Sequence, residues 1–296
     1  MSGRAPQAAA VPAATPLVFV LIWSTGFIVA RYGMPHAGPF SFLALRFALS
    51  VLAFALWIAI VRAPWPQGRA QWRHLAVTGL LMHAGYLGGV WAAVKLGLGA
   101  GPVALIVGLQ PVLTALWISA SGSSHRVSPR QWAGLAIGLA GLVLVVGQKL
   151  QQGQISAGNL ALALFALASI TAGTLYQKRW VAPCDVRTAS TVQLLAAFAA
   201  TLPLALLEPQ HFELHPELVG AMAWSVLGLT LGGSSLLYML IQRGAAAAVT
   251  SFMYLVPPCT ALMAWWLFGE TFGAQGLAGL VLTVAGVALV MRERAA

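Results

Sequence analysis

The sequence predicts an all-α integral membrane protein, with ten transmembrane helices arranged as two inverted five-helix repeats. Three observations carry that expectation. Of 296 residues, 59% are hydrophobic and 7% charged, too few charges to cover the surface of a water-soluble protein of this size. Apolar segments of roughly 17 to 24 residues recur along almost the whole chain, and about 20 residues at about 1.5 Å rise cross a hydrocarbon core of about 30 Å. Finally, Pro111-Val-Leu-Thr-Ala-Leu116 returns as Pro257-Pro-Cys-Thr-Ala-Leu262 about 146 residues later, which marks an internal duplication.

The ten segments lie at 16–33, 40–61, 74–94, 101–120, 130–148, 158–177, 188–207, 218–241, 246–268 and 274–291. None shows the strict alternation of a barrel strand, so each reads as a helix. Residues 1–14 are rich in Ala and Pro, carry only Arg4 and are expected to be disordered. The first segment is read as a retained helix, because the small residues precede it where those of a signal-peptidase site would follow it. Segments one to five make a first repeat, 15–150; segments six to ten make a second, 151–291; a cytoplasmic tail, 292–296, follows.

The two halves correspond element by element. Gly134 and Gly141 in the fifth segment match Gly279 and Gly286 in the tenth, and Trp91-x5-Gly97 in the third matches Tyr238-x5-Gly244 in the eighth. Ser24-Thr25-Gly26 in the first pairs weakly with Thr171-Ala172-Gly173 in the sixth. An odd number of helices per repeat turns the second copy upside down, as in secondary transporters. Small residues four apart, Gly85 and Gly89, Gly134 and Gly138, Gly228 and Gly232, predict close helix approaches. The longest polar connections, 62–73 and 208–217, leave no room for a soluble domain.

Net charge is +10, but its placement excludes a nucleic-acid partner. Of the 16 Lys and Arg, twelve fall in even-numbered connections and the termini, and three (Arg31, Lys95, Lys149) on the opposite side, with Glu208, Glu213, Glu217 and Glu270. The positive-inside rule therefore puts both termini in the cytoplasm. Cys184 and Cys259 offer neither a disulfide framework nor metal-ligand spacing, so no metal or cofactor is expected.

Trp23-Ser-Thr-Gly-Phe27, Pro39-x6-Arg46-Phe47, the first proline segment and Leu267-Phe-Gly-Glu-Thr271 resemble the drug/metabolite transporter superfamily. The duplicated arrangement resembles its ten-helix group with two EamA domains, and overall the chain is similar to bacterial exporters of aromatic amino acids of the YddG type. That resemblance implies an inner-membrane transporter that exports amino acids, aromatic or bulky apolar, or related metabolites, by alternating access through a central cavity formed by both halves; a monomer in the lipid bilayer is expected. Other small amphipathic metabolites or drugs on the same fold are the alternative. A membrane receptor is a third reading, against which the inverted repeat and the short connections count.

An enzyme is not expected, and no catalytic residue is assigned. Asp185 is the sole aspartate and lies in a connection, no glutamate falls mid-helix, and no Gly-x-Ser-x-Gly, His-Glu-x-x-His or phosphate-cradling loop occurs. Without an intramembrane carboxylate, a cationic substrate is disfavoured as well.

The candidate substrate-binding residues are the polar and aromatic groups at membrane depth. Arg46 lies about two turns into the second segment and could attract a carboxylate, or bond a neighbouring helix. Its repeat counterpart is Gln193. His83, in the middle of the third segment, could exchange a proton or bond substrate, or sit neutral against another helix. Trp23, Tyr86, Trp91, Tyr238 and Tyr254 could offer ring faces to a cavity or pack toward lipid. Gln110 and Ser251 are polar residues beside the proline breaks. Pro111 and Pro257 are hinge or kink candidates, since proline inside a helix costs about 3 kcal/mol. Thr114 and Thr260 are expected to bond back to their own helices. Trp65, Trp72, Trp132 and Trp180 read as interfacial anchors.

Overall fold

The structure is a computed structural model that describes residues 15–120, 128–209, 212–233, 236 and 255–292. Every element among the described residues is a helix. In order they are α1 (Thr15–Gly33), α2 (Pro39–Val61), α3 (Arg69–Lys95) and α4, in two pieces (Ala100–Val107 and Gln110–Ala120). Then come α5 (Pro129–Gln151), α6 (Ala157–Trp180) and α7 (Val186–Leu207). Next is α8, which begins as Pro216–Ala223 and continues through Trp224–Gly233, followed by α9 (Val256–Phe268) and α10 (Ala274–Arg292). Helices α2, α3, α5, α6 and α7 are long and apolar enough to cross a membrane, and α1, α4, α9 and α10 contain shorter apolar stretches.

Helix starts follow local chemistry where it is available. Ser128 and Gln131 form a reciprocal capping box at α5, as Ser156 and Asn159 do at α6. Where the local sequence offers no cap, the other repeat supplies one. The N-terminus of α2 is capped by Glu208, at the end of α7: its carboxylate accepts from Phe40 N–H (3.0 Å), Ser41 N–H (2.8 Å) and Ser41 Oγ (2.7 Å). Glu270, after α9, likewise accepts from Ala100 N–H (2.9 Å) and Gly101 N–H (3.2 Å) at the start of α4. Both are charge-assisted bonds on the positive end of a helix dipole.

The remaining connections at that end are tied together too. Lys95 Nζ donates to the Met34 and Ala37 carbonyls past the end of α1 (2.6 and 3.1 Å). His36 lies between Glu213 (3.4 Å) and Glu217 (3.2 Å) and stacks on His215 at 4.1 Å. All four glutamates predicted to share one side therefore gather at this acidic end of the bundle. At the opposite, basic end, Asp185 caps α7, accepting from Arg187 N–H and pairing with its guanidinium at 2.6 Å.

Equivalent helices of the two repeats meet each other. Where α5 crosses α10, a Cβ on Gly141 would lie 2.5 Å from the Gly279 carbonyl oxygen, and one on Gly286 would run into the backbone of Gly134 and Gly138. The four glycines matched in sequence thus pack as symmetric pairs. Gly26 of α1 faces Leu229 of α8, while Gly173 of α6 faces Met82 and Leu81 of α3, the same contact in the other half. Gly85 and Gly89 let α3 approach Ser169 and Leu162 of α6, as their spacing predicts. Among the described residues, the nearest neighbours of Gly228 and Gly232 are Trp224 and Leu227 of their own helix.

The proline segments need correction on local grounds. Pro111 and Pro257 each stand in the first turn of a helical piece, where the missing N–H has no partner to lose. The break in α4 falls just before Pro111, at Gly108 and Leu109, and a Cβ on Gly108 would lie 2.6 Å from Pro257 Cγ. Helices α4 and α9 therefore touch where each begins its proline-led piece. Thr114 bonds back to the Gln110 carbonyl (2.8 Å), but Thr260 reaches across to the Ser24 carbonyl of α1 (3.3 Å).

Two outcomes are expected. Gly141→Ala costs about 1 to 3 kcal/mol, because the added methyl overlaps backbone that cannot retreat, whereas Gly220→Ala, with nothing within 4 Å, does not destabilise; thermal unfolding in detergent compares them. The second concerns Asp185, whose carboxyl Arg187 holds below the usual carboxylate range. Its contribution, about 1 kcal/mol or less, is present above the unfolded-state pKa and is lost as pH falls through the lower folded value. The stability gap between wild type and Asp185→Asn should therefore close on acidification.

Candidate functional site

The third helix of each repeat departs from α geometry at the same place. In α3 the stretch Leu80–Gly85 is π-helical, and in α8 the stretch Trp224–Gly233 is. Shifted by the repeat offset of about 146 residues, the first falls inside the second. A π turn widens the helix and redirects side chains, and such turns concentrate at functional sites.

Here both border a cavity of about 130 Å³ between α1, α2, α3, α6, α7 and α8. Helix α3 supplies its longest wall: His83, Tyr86, Leu87, Val90 and Trp91 follow the spacing of one helical face, and Met82 joins them from the π turn. Trp23, Gly26 and Phe27 come from α1, Arg46 and Phe47 from α2, Ile170 from α6, Leu194 from α7, and Leu229 and Thr230 from α8.

Ring contacts shape the walls. Phe47 meets His83 edge-on at 6.2 Å. Trp91, 1% exposed, stacks on Phe42 at 4.3 Å, and a Cβ on Gly33 would lie 3.2 Å from both rings. This packed layer stands between the cavity and the acidic end.

Polar groups in the walls are few. Arg46 is 7% exposed, and its Nη2 donates to Thr230 Oγ1 at 3.4 Å, while Thr230 Oγ1 donates to the Ser225 carbonyl at 2.9 Å. Its Nε has no hydrogen-bond partner among the described residues. His83 Nε2 lies 3.3 Å from Gln193 Oε1, a contact in which the imidazole donates when its proton is on Nε2. Arg46 and its repeat counterpart Gln193 thus both act around this cavity, one in its wall and one behind it.

Of the sequence candidates, Trp23, Arg46, His83, Tyr86 and Trp91 converge on the cavity. Gln110 is instead held away from it, donating to Thr174 Oγ1 of α6 at 2.9 Å. Neither Pro111 nor Pro257 lines it. Tyr238, Ser251 and Tyr254 lie outside the described residues. Sequence reasoning passed over Phe27 and Phe47, although both close motifs quoted above, and Thr230, whose place depends on a partner 184 residues away.

Residues 13–147 match the EamA-like transporter family, and residues 158–292 match it again. The chain belongs to the EamA-like transporter family. This EamA protein is a duplicated, multi-pass membrane protein of the drug/metabolite transporter superfamily, and its relatives are named as transporters. It is 25% identical over 281 residues to a protein of Salmonella typhimurium named probable amino-acid metabolite efflux pump, covering 92% of this chain and 91% of that one. It is 26% identical over 275 residues to the uncharacterized inner membrane transporter YedA of Escherichia coli K12, covering 91% and 87%. A crystal structure that matches with a TM-score of 0.65 at 20% identity, covering 93% of this chain and 95% of that one, shows the same fold.

The His83–Gln193 contact can be tested as a structural pair. Gln193→Leu should cost about 1 to 3 kcal/mol by orphaning the imidazole N–H, and adding His83→Leu should recover most of that loss, because no buried polar group then lacks a partner. Denaturation of the two variants side by side checks it.

Proposed function

We propose that this EamA protein is a secondary transporter that exports amino acids with aromatic or bulky apolar side chains, or closely related metabolites, across the bacterial inner membrane. The carrying observation is the cavity itself: ring faces from three helices surround a small apolar space whose wall, among the described residues, holds one buried guanidinium and no carboxylate. The relatives named as efflux pump and inner membrane transporter support direction and location. The basic end, with Arg62, Arg69, Arg73, Lys178, Arg179 and Arg187, faces the cytoplasm on this reading, and both termini are cytoplasmic.

Alternating access then has identifiable parts. Opening toward the acidic end separates Trp91 from Phe42, and the π turns of α3 and α8 let the helix ends move relative to their middles. Efflux from a filled cytoplasm needs no coupling ion. The volume, about 130 Å³, compares with the roughly 150 Å³ that accommodates benzene in an engineered cavity, so a single ring or a branched aliphatic side chain is the size that fits.

Counterflow in reconstituted liposomes tests this reading. Phenylalanine or leucine should exchange, and Tyr86→Ala and Trp23→Ala should each lower the initial rate about 3- to 10-fold at equal membrane abundance, the range of one lost ring contact. Trp132→Ala, at an exposed position, should leave it unchanged. Normal exchange by both cavity variants would sink the assignment.

A further inference from the structure

We infer that the cavity recognises its substrate through the carboxylate and the apolar tail, leaving the amino group unread, so that the substrate class extends to apolar monocarboxylates such as arylalkanoic and branched alkanoic acids. The inference rests on the transport reading above and narrows what is transported.

Arg46 carries the first half of the argument. A guanidinium has five N–H donors in a planar fork that matches a carboxylate. In this structure it makes one long bond, to a neutral hydroxyl, and its buried Nε has no partner among the described residues. A cation at membrane depth with so little compensation is costly, and an incoming anion relieves that cost. Arg46 comes from the first repeat and Thr230 from the second, so an anion held there bridges the two halves.

The second half is an accounting of carboxylates over the whole sequence, which contains six. Asp185 pairs with Arg187 at the basic end. Glu208 and Glu270 cap α2 and α4, and Glu213 and Glu217 flank His36, all at the acidic end. Glu293 belongs to the segment after α10, near the chain terminus. None of the five carboxylates in the described residues remains to pair with an ammonium beside Arg46. Among the described residues, two neutral acceptors beside the cavity are engaged, Gln193 Oε1 by His83 and Thr230 Oγ1 by Arg46 itself, and the Tyr86 hydroxyl on the wall brings no negative charge to an ammonium. An ammonium in this space also meets the repulsion of the guanidinium.

The test uses two matched triads: phenylalanine, 3-phenylpropionate and phenethylamine; leucine, 4-methylpentanoate and isopentylamine. Each is scored for binding by thermal stabilisation of the full-length protein in detergent, and for inhibition of counterflow in liposomes corrected for protein-free vesicles. Within at least one triad the acid should bind within about threefold of the amino acid, and the amine should not bind. Amines that bind as well as acids, or amino acids that bind where their acids do not, overturn the inference.

Acids that bind while no amino acid exchanges would leave the inference standing and remove the amino-acid export reading; no binding by any compound removes both. Arg46→Gln should weaken acid binding about 10- to 100-fold, the worth of a charged hydrogen bond. Arg46→Lys keeps the charge but loses the planar fork and should weaken it about threefold, which serves if Arg46→Gln does not fold. Wild-type acid affinity in a folded Arg46→Gln protein contradicts the inference.

Discussion

Where α5 crosses α10, two backbones touch with only hydrogen atoms between them. Gly141 meets Gly279, and Gly286 meets Gly134 and Gly138, so each repeat presents the same small residues to the other. In lipid there is little hydrophobic gain in joining two apolar helices, and close packing has to supply the attraction. The inverted duplication depends on such symmetric contacts: Gly26 on Leu229 repeats Gly173 on Met82, and Gly108 of α4 fits against Pro257 of α9. Substituting a larger residue at Gly141, Gly279 or Gly286 would push the two repeats apart at this crossing, and one at Gly173 would push α6 from α3, two helices that border the cavity.

A second constraint acts at the ends of the bundle. The chain has few acids, and five of the six are used in its connections and helix caps. Glu208 and Glu270 each cap a helix of the opposite repeat, which couples the halves at the acidic end more firmly than local caps would. The consequence for the interior is electrostatic. Among the described residues no carboxylate lines the cavity, and the buried Arg46 is the charge in its wall, framed by Phe47 and by the long aromatic wall of α3.

The π turns in α3 and α8 illustrate what a duplicated sequence can conceal. Leu80–Gly85 and Trp224–Gly233 share almost no residues at equivalent positions, yet both helices widen at the same level. No composition signal marks a π turn, because it follows from how a helix satisfies its backbone while packing on neighbours. At Gly79, α3 approaches the backbone of Gln193, and from the next residue the helix changes pitch. The turn is what brings Met82 into the wall alongside His83.

Membrane class, helix number and inverted duplication were determined by the sequence itself, because hydrophobic length and a repeated Pro-x-x-Thr-Ala-Leu pattern are one-dimensional signals. So was the exclusion of an intramembrane carboxylate, which needs only counting. Five residues that line the cavity, Trp23, Arg46, His83, Tyr86 and Trp91, could be named because polar and aromatic groups at depth are rare enough to stand out. The facing of each side chain was decided only by tertiary structure, since helices apolar all round carry no amphipathic signal. Gln110 turned toward Thr174 instead of the cavity, Thr260 bonded α1 instead of its own turn, and Thr230 found Arg46 across 184 residues. Those outcomes are set by which helix lies opposite, and that is fixed by the packing of the glycines.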